Sequence, residues 1–130
     1  MSHLFSCRVY YEDTDLAGIV YYANYLKFIE RARSEWVREL GVDQSALKAD
    51  EGIVFAVRRV EADYLSPARF DDVLTISTQV RDISAARITL TQDVSRGDDT
   101  LFKSVVTLVC LGEGGRPTRL PADIRQLMQR

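Results

Sequence analysis

The residues best suited to chemistry form a short acidic segment that leads into an aromatic-rich helix. Glu12, Asp13 and Asp15 lie close together, Gly18 follows, and helical spacing begins near Tyr25. Unpaired N–H groups at a helix start carry about half a positive charge and can stabilise an oxyanion. A nearby aspartate can attack a carbonyl carbon or activate a water molecule that attacks it. The segment is therefore suited to hydrolysis of an acyl compound.

The acidic segment also fits two interpretations other than the catalytic one. The Asp and Thr side chains can instead cap the helix, a common structural role for these residues. Asp13, Asp15 and Gly18 also match the first, third and sixth positions of an EF-hand calcium loop. Such a loop needs oxygen ligands where this sequence has Ala17, and a glutamate where it has Asn24. The calcium interpretation fails, and the capping interpretation stays open.

The amino-acid counts exclude several classes of site. His3 is the only histidine and lies near a terminus, which excludes Ser-His-Asp and Cys-His systems within the chain and most catalytic zinc sites. Cys7 and Cys110 lack metal-ligand spacing and are expected to be reduced, buried thiols. We therefore expect no metal and no cofactor. A net charge of −2 without a basic block argues against nucleic acid as a partner.

Length and hydropathy predict one cytoplasmic domain spanning residues 1–130. A chain of 130 residues has room for a single sizeable core. No apolar run approaches the roughly 20 residues that a membrane span requires. The segment from Met1 to Tyr11 is too short and too polar for the apolar region of a signal peptide.

The remaining patterns predict an α+β fold that would position the acidic segment. A first strand is predicted over Phe5–Tyr11, and apolar residues recur at three- and four-residue spacing from Tyr25 to Leu40, before Gly41. Period-two alternation predicts four further strands around residues 59–64, 74–80, 88–94 and 101–111, with a turn at 96–99. Pro121 is expected at the first position of a final helix, Ala122–Met128.

The predicted sheet also suggests self-association. The strand over residues 101–111 is apolar on both faces and is expected to be covered on both. A single helix can cover only one face of the sheet, which leaves the outer face and an edge strand open. We therefore expect at least a homodimer.

The acidic segment resembles the active-site signature of the 4-hydroxybenzoyl-CoA thioesterase family. Arg8-Val9, Thr14-Asp15, Gly18-Ile19-Val20-Tyr21-Tyr22 and Tyr25 carry the resemblance. Residues 28–35 are similar to the YbgC branch, whose acyl-CoA thioesterases are associated with the Tol–Pal envelope system, and residues 69–76 are similar to the family's entry to the third strand. The resemblance implies a hot-dog fold, a five-stranded antiparallel sheet around a long central helix, and an acyl-CoA substrate.

The resemblance also implies roles for three residues. Asp15 matches the catalytic aspartate, Gly18 matches the glycine in the approach to the helix, and Tyr22 matches the position whose backbone N–H polarises the thioester carbonyl. Many relatives have histidine where this chain has Tyr22, so the alternative is a non-catalytic acyl-CoA-binding protein or an interaction protein of envelope or lipid metabolism. A dehydratase of the same fold is disfavoured because it needs a catalytic histidine.

The resemblance also implies partners for this chain. The resemblance implies a homo-oligomer, either a dimer or a dimer of dimers (a homotetramer), with phospholipid-synthesis proteins or acyl carrier protein as further partners.

Structural roles are expected for the other notable side chains: solvated loop acids (Glu12, Asp13), helix packing (Tyr21, Tyr22, Tyr25), core (Trp36) and a turn (Asp71, Asp72). Coenzyme A phosphates could meet arginines, and three are candidates without an individual assignment: Arg58, Arg59 and Arg87.

Overall fold

A five-stranded antiparallel sheet packs against one long helix in residues 2–129, the part of the chain that the structure, a computed structural model, describes. Its strands are β1 (His3–Arg8), β2 (Val54–Tyr64), β3 (Val73–Ile83), β4 (Arg87–Arg96) and β5 (Asp99–Leu111). Their spatial order is β1-β3-β4-β5-β2, so β1 and β2 form the two edges. The predicted α+β class and hot-dog arrangement are confirmed.

The long helix, α1 (Asn24–Glu39), crosses the buried face of the sheet and contacts β1, β3 and β4. Its apolar stripe is buried, as the three- and four-residue spacing predicts: Phe28, Ile29, Ala32, Trp36 and Val37. Gly41 follows the helix with φ of 90°, a left-handed conformation that glycine adopts without strain. The predicted helix and the core position of Trp36 are confirmed.

A buried polar cluster fixes α1 to the centre of the sheet. Gln92 of β4 is fully buried, and its Nε2 donates to the carbonyl oxygen of Ile29 and to Thr78 Oγ1, each over 2.9 Å. The Arg33 guanidinium donates to Gln92 Oε1 over 2.9 Å. Since buried polar groups are costly when unpaired, this cluster favours one placement of the helix over the sheet.

The first strand differs from its prediction at both ends. β1 begins at His3 and ends at Arg8, so the predicted strand over Phe5–Tyr11 starts too late and ends too late. Tyr11–Asp13 instead form a 3-10 turn, because the Asp13 carboxylate accepts a hydrogen bond from the Tyr10 N–H over 2.8 Å. The chain therefore leaves the sheet before the acidic segment begins.

Two other elements were incompletely predicted. β2 starts at Val54, five residues before the alternation that predicts it, and a second helix, α2 (Gln44–Glu51), was not predicted. The Asp43 side chain accepts from the Ala46 N–H over 3.0 Å and caps α2. The final helix, α3 (Ala122–Met128), is confirmed, but Pro121 is the residue before its first position.

The outer face of the sheet is only partly covered within one chain. Along β5, Phe102, Val106 and Cys110 are buried, whereas Val105 and Val109 on the opposite face remain partly exposed. Within one chain β5 is thus covered fully on one face, and cover of its second face stays a prediction. In the described residues, no helix combines the length and the apolar character needed to cross a membrane.

Candidate active site

Residues 14–20 form a tight hairpin between the 3-10 turn and α1. Thr14 pairs with Val20, and the Asp15 N–H donates to the Ile19 carbonyl oxygen over 2.9 Å. Gly18 has φ of 78° and donates its N–H to the Asp15 carbonyl oxygen over 3.0 Å. Apart from its chain neighbours, no heavy atom of the described residues lies within 4 Å of the position that a Cβ would take at Gly18, so within this chain the positive φ and not a close contact requires glycine.

The Asp15 side chain lies at the surface of this hairpin. Its Oδ1 accepts a hydrogen bond from the Ala17 N–H over 2.9 Å, which closes a local turn. Asp15 does not cap α1, because the residue before that helix is Ala23, which provides no side-chain cap. The interpretation of the segment as a helix cap is therefore wrong.

Asp13 connects the acidic segment to the helix start. Its carbonyl oxygen accepts hydrogen bonds from the Tyr21 N–H and from Asn24 Nδ2, both over 2.9 Å. The residue is only 6% exposed, so its expected role as a solvated acid is wrong, whereas Glu12 is exposed as expected. The two loop acids differ because only the Asp13 carboxylate has a backbone donor, the Tyr10 N–H.

The turn that leads into α1 offers a free backbone donor. The Asn24 N–H donates to the Tyr21 carbonyl oxygen over 2.8 Å, and the Leu26 N–H donates to the Ala23 carbonyl oxygen over 3.2 Å. Within residues 2–129 the Tyr22 N–H has no such acceptor. An unpaired N–H at the positive end of a helix is a suitable donor to an oxyanion.

A cavity of about 300 Å³ adjoins this turn. Its lining is mainly aromatic and aliphatic: Ile19, Val20, Tyr22, Tyr25, Tyr64, Leu65, Ser66 and Pro67. The structure thus brings Tyr22 to the cavity, and it brings Gly18 and Asp15 into one turn. Asp15 itself is not among the residues that line this cavity in the single chain.

The tyrosines near the cavity have different environments. Tyr25 is buried and stacks on Phe102 with ring centroids 5.0 Å apart, which confirms its packing role. Burial raises the pKa of the Tyr25 hydroxyl, whose oxygen accepts from the Ala68 N–H over 3.0 Å, so Tyr25 is not suited to exchange protons near neutral pH. Tyr21 and Tyr22 are 45% and 62% exposed, so the packing role predicted for them is wrong.

The remaining candidates lie outside this site or belong to turns. Arg58, Arg59 and Arg87 are exposed, and Arg59 pairs with Glu61 over 3.2 Å. The turn expected before β3 is confirmed, since Asp72 Oδ2 accepts from the Arg69 N–H over 2.8 Å.

The sequence did not indicate the roles of Asn24 and Tyr64, which contact the loop and the helix start. An asparagine at the first position of a helix was a weak signal for the former. An aromatic residue at a strand end gives no signal for the latter.

Comparison with known proteins gives consistent matches over most of the chain. The sequence model of the thioesterase superfamily matches residues 17–103. The acyl-CoA thioesterase YbgC of Haemophilus influenzae is 38% identical over 122 residues, covering 93% of this chain and 90% of that protein. A probable thioesterase from Bartonella henselae superposes with a TM-score of 0.89 at 38% identity, covering 93% of this chain and 100% of that one. An Asp-to-Asn mutant of 4-hydroxybenzoyl CoA thioesterase, complexed with 4-hydroxybenzoyl CoA, has a TM-score of 0.91 at 26% identity, with 98% of each chain covered.

Proposed function

The chain belongs to the thioesterase superfamily, and from this premise we propose that it hydrolyses an acyl-CoA thioester to a free acid and coenzyme A. This membership and the 38% identity to a YbgC acyl-CoA thioesterase confirm the expected family and its YbgC branch. The observation that carries the proposal is the similarity to an acyl-CoA thioesterase over 93% of this chain. The free donor beside a mainly apolar cavity supports it.

Asp15 and the Tyr22 N–H are assigned complementary roles in this proposal. Asp15 either attacks the thioester carbonyl carbon directly or removes a proton from the water molecule that attacks it. The carbonyl oxygen becomes an oxyanion, which accepts a hydrogen bond from the Tyr22 N–H. The C–S bond then breaks, coenzyme A leaves as its thiolate, and direct attack requires a second step in which water hydrolyses the acyl-aspartate.

The local geometry supports a substrate that enters from solvent. The Ala17 N–H orients the Asp15 carboxylate at the surface, and Gly18 allows the turn that presents it. The Asp13 carbonyl oxygen, two residues before Asp15, is held against Tyr21 and Asn24. These two hydrogen bonds hold the start of the hairpin that carries Asp15 against the segment that carries the Tyr22 N–H.

The test is the Asp15→Asn variant, with Glu12→Gln as a matched control that removes an exposed neighbouring carboxylate. Release of coenzyme A is followed with short aliphatic, long aliphatic and aromatic acyl-CoAs. Loss of a nucleophile or general base is expected to lower kcat by about 100-fold or more, whereas Glu12→Gln should remain within about threefold of wild type.

Two outcomes would contradict different parts of the proposal. A folded Asp15→Asn variant with wild-type turnover would exclude the role of Asp15. Tight binding of acyl-CoAs by the wild-type chain without turnover of any substrate would favour the alternative, a non-catalytic acyl-CoA-binding protein.

We also propose that the chain forms at least a homodimer through the open edge of β2. In residues 2–129 this strand pairs only with β5, and Val57, Val60 and Tyr64 are 47%, 37% and 48% exposed. An 11-residue edge strand with exposed apolar side chains is a ready surface for pairing with a second copy.

Light scattering during size-exclusion chromatography tests this assembly. Val60→Lys should shift the mass toward the 14.8 kDa of one chain, because a charge opposes pairing at an edge strand. Leu4→Lys, on the opposite edge strand β1, is the control and should leave the mass unchanged. A wild-type protein of one-chain mass would contradict the dimer.

Several finer assignments stay predictions. They are a cytoplasmic location, association with the Tol–Pal system, a dimer of dimers, and phospholipid-synthesis proteins or acyl carrier protein as partners. The acyl group is also open, and the substrate panel described above would identify its class.

A further inference from the structure

Tyr64, the last residue of β2, is hydrogen-bonded to the start of α1. Its hydroxyl donates to the Tyr22 carbonyl oxygen over 2.9 Å. That oxygen is not used by the helix, since the Leu26 N–H donates to the Ala23 carbonyl oxygen instead. The helix start also lacks a side-chain cap. Tyr64 therefore supplies, from a neighbouring strand, a contact that the helix does not make itself.

The Tyr64 ring is held where its hydroxyl can do this. Tyr64 pairs with Phe102 of β5 in the sheet, and the two rings meet edge to face with centroids 5.1 Å apart. The buried Tyr25 ring packs against it in the same manner at 5.5 Å. Partial burial raises the pKa of the Tyr64 hydroxyl, which keeps its proton available for donation at neutral pH.

We propose that Tyr64 is a positioning residue for thioester hydrolysis, which fixes the backbone at Tyr22 so that the Tyr22 N–H faces the bound thioester. This inference rests on the proposed function. The hydroxyl fixes the peptide plane that follows Tyr22, and this plane restricts the backbone rotation of Tyr22. An oxyanion donor must lie about 2.7–3.1 Å from the developing charge, so a small change in its direction weakens the interaction.

The geometry distinguishes this role from simple packing. Tyr64 and Tyr22 line the same cavity, but the hydrogen bond joins the Tyr64 hydroxyl to backbone and not to the Tyr22 ring. Removal of the hydroxyl alone leaves the ring contacts with Phe102 and Tyr25 in place. Loss of the Tyr64 hydroxyl should therefore lower the rate of the chemical step more than it weakens substrate binding.

The first test compares Tyr64→Phe with Tyr11→Phe, a control that removes the hydroxyl of an exposed tyrosine stacked on Phe70. Loss of one positioning hydrogen bond is expected to lower kcat of Tyr64→Phe by about 5- to 10-fold and to change KM by less than about twofold. The control should retain wild-type kcat. A Tyr64→Phe variant with wild-type kcat would overturn the inference.

The second test measures binding of two unreactive coenzyme A analogues. A ketone analogue, in which CH2 replaces the sulfur, keeps the carbonyl oxygen that the Tyr22 N–H would contact, and a thioether analogue lacks it. Tyr64→Phe should bind each analogue within about twofold of wild type, because neither carries the negative charge that develops on the oxygen in the transition state. Equal weakening of both analogues would indicate a packing role and overturn the inference.

The two proposals fail in different ways. If wild-type protein hydrolyses none of the acyl-CoA substrates, the proposed function fails, and the role of Tyr64 fails with it. If wild type is active and Asp15→Asn is not, while Tyr64→Phe keeps wild-type kcat, only the role of Tyr64 is excluded.

Discussion

The Asn24 side chain donates a hydrogen bond to the carbonyl oxygen of Asp13 over 2.9 Å and so joins the acidic segment to the first residue of α1. Asn24 and Asp13 are only 8% and 6% exposed, and the same carbonyl oxygen accepts from the Tyr21 N–H. This contact fixes the path of the chain on both sides of the 14–20 hairpin. It therefore contributes to the placement of Asp15 relative to the Tyr22 N–H.

Replacement of Asn24 should affect stability and turnover together. Asn24→Leu keeps a similar size but removes the buried donor, which should lower the free energy of unfolding by about 1–3 kcal/mol. Because the hairpin loses an attachment to the helix, kcat should fall by about 10-fold or more.

Urea denaturation and coenzyme A release measure the two effects of Asn24→Leu. The exposed Lys27 on the same helix provides the control, and Lys27→Ala should change the free energy of unfolding by no more than about 0.5 kcal/mol. Wild-type stability and turnover in Asn24→Leu would show that the contact is dispensable.

The elements that the sequence predicted well are those with a long, regular pattern. The apolar stripe of α1 and the alternation of β3, β4 and β5 each repeat several times, so burial of one face is a strong constraint. Helix α2 was missed because its eight residues give only a short pattern, with Leu47 as its buried residue. The predicted end of β1 was wrong because a side chain, Asp13, competes with the sheet for the backbone.

The site was only partly predictable for a related reason. Asp15, Gly18 and Tyr22 are neighbours in a continuous segment, so a motif can indicate them. Tyr64 is 42 residues from Tyr22, and its hydrogen bond depends on how β2 ends beside the helix start. The burial of Asp13 likewise depends on contacts with Tyr21 and Asn24, which a local acidic pattern does not reveal.

The Arg33–Gln92 pair should show strong energetic coupling. Burial lowers the pKa of the Arg33 guanidinium, and Gln92 Oε1 accepts a hydrogen bond from it. Gln92→Leu leaves Arg33 and the Ile29 carbonyl oxygen without this partner and should cost about 2–3 kcal/mol.

A double-mutant cycle with Arg33→Leu measures that coupling by urea denaturation. The double variant should be more stable than the sum of the single effects predicts, by about 1–2 kcal/mol. Additive effects, within about 0.5 kcal/mol, would show that the two side chains act independently.

Asp72 should contribute to stability in a pH-dependent manner. Partial burial acts to raise the pKa of its carboxyl group, but hydrogen bonds from the Arg69 N–H and the Arg96 guanidinium outweigh this effect and lower it from the ordinary value of 3.8. A lowered folded-state pKa stabilises the fold above the unfolded-state value, and this contribution is lost as the pH falls from 3.8 through the folded-state pKa.

Asp72→Asn tests the contribution, since the asparagine oxygen can still accept from the Arg69 N–H. The Tm difference between wild type and this variant should be largest at neutral pH and should shrink in acid. Asp50→Asn on α2 controls for the loss of one exposed carboxylate. A Tm difference that does not change with pH would exclude the ion pair as its cause.

The two cysteines should be unreactive in the native protein. Burial raises the pKa of the Cys110 thiol to about 11 and also raises the pKa of Cys7, so little thiolate is present at pH 8. Ellman's reagent should label the native chain slowly and should titrate two thiols after unfolding. Fast, complete labelling of the native protein would contradict this expectation. If labelling of the protein is slow, the same reagent can be used to measure the coenzyme A that hydrolysis releases.

The start of α1 has no side-chain cap, which limits how this end of the helix can be stabilised without a change at the site. A serine or aspartate in place of Ala23 could cap this end and stabilise the helix by about 1 kcal/mol, but Ala23 has helical backbone angles, φ of −71° and ψ of −20°, which a capping residue does not adopt. In this chain the Tyr64 hydroxyl holds the helix start by donating to the Tyr22 carbonyl oxygen, and the Tyr22 N–H has no backbone acceptor in the described residues. Capping this terminus would therefore require the backbone next to Tyr22 to rotate and should slow the enzyme, whereas substitutions that strengthen the contact between Tyr64 and the helix start should not.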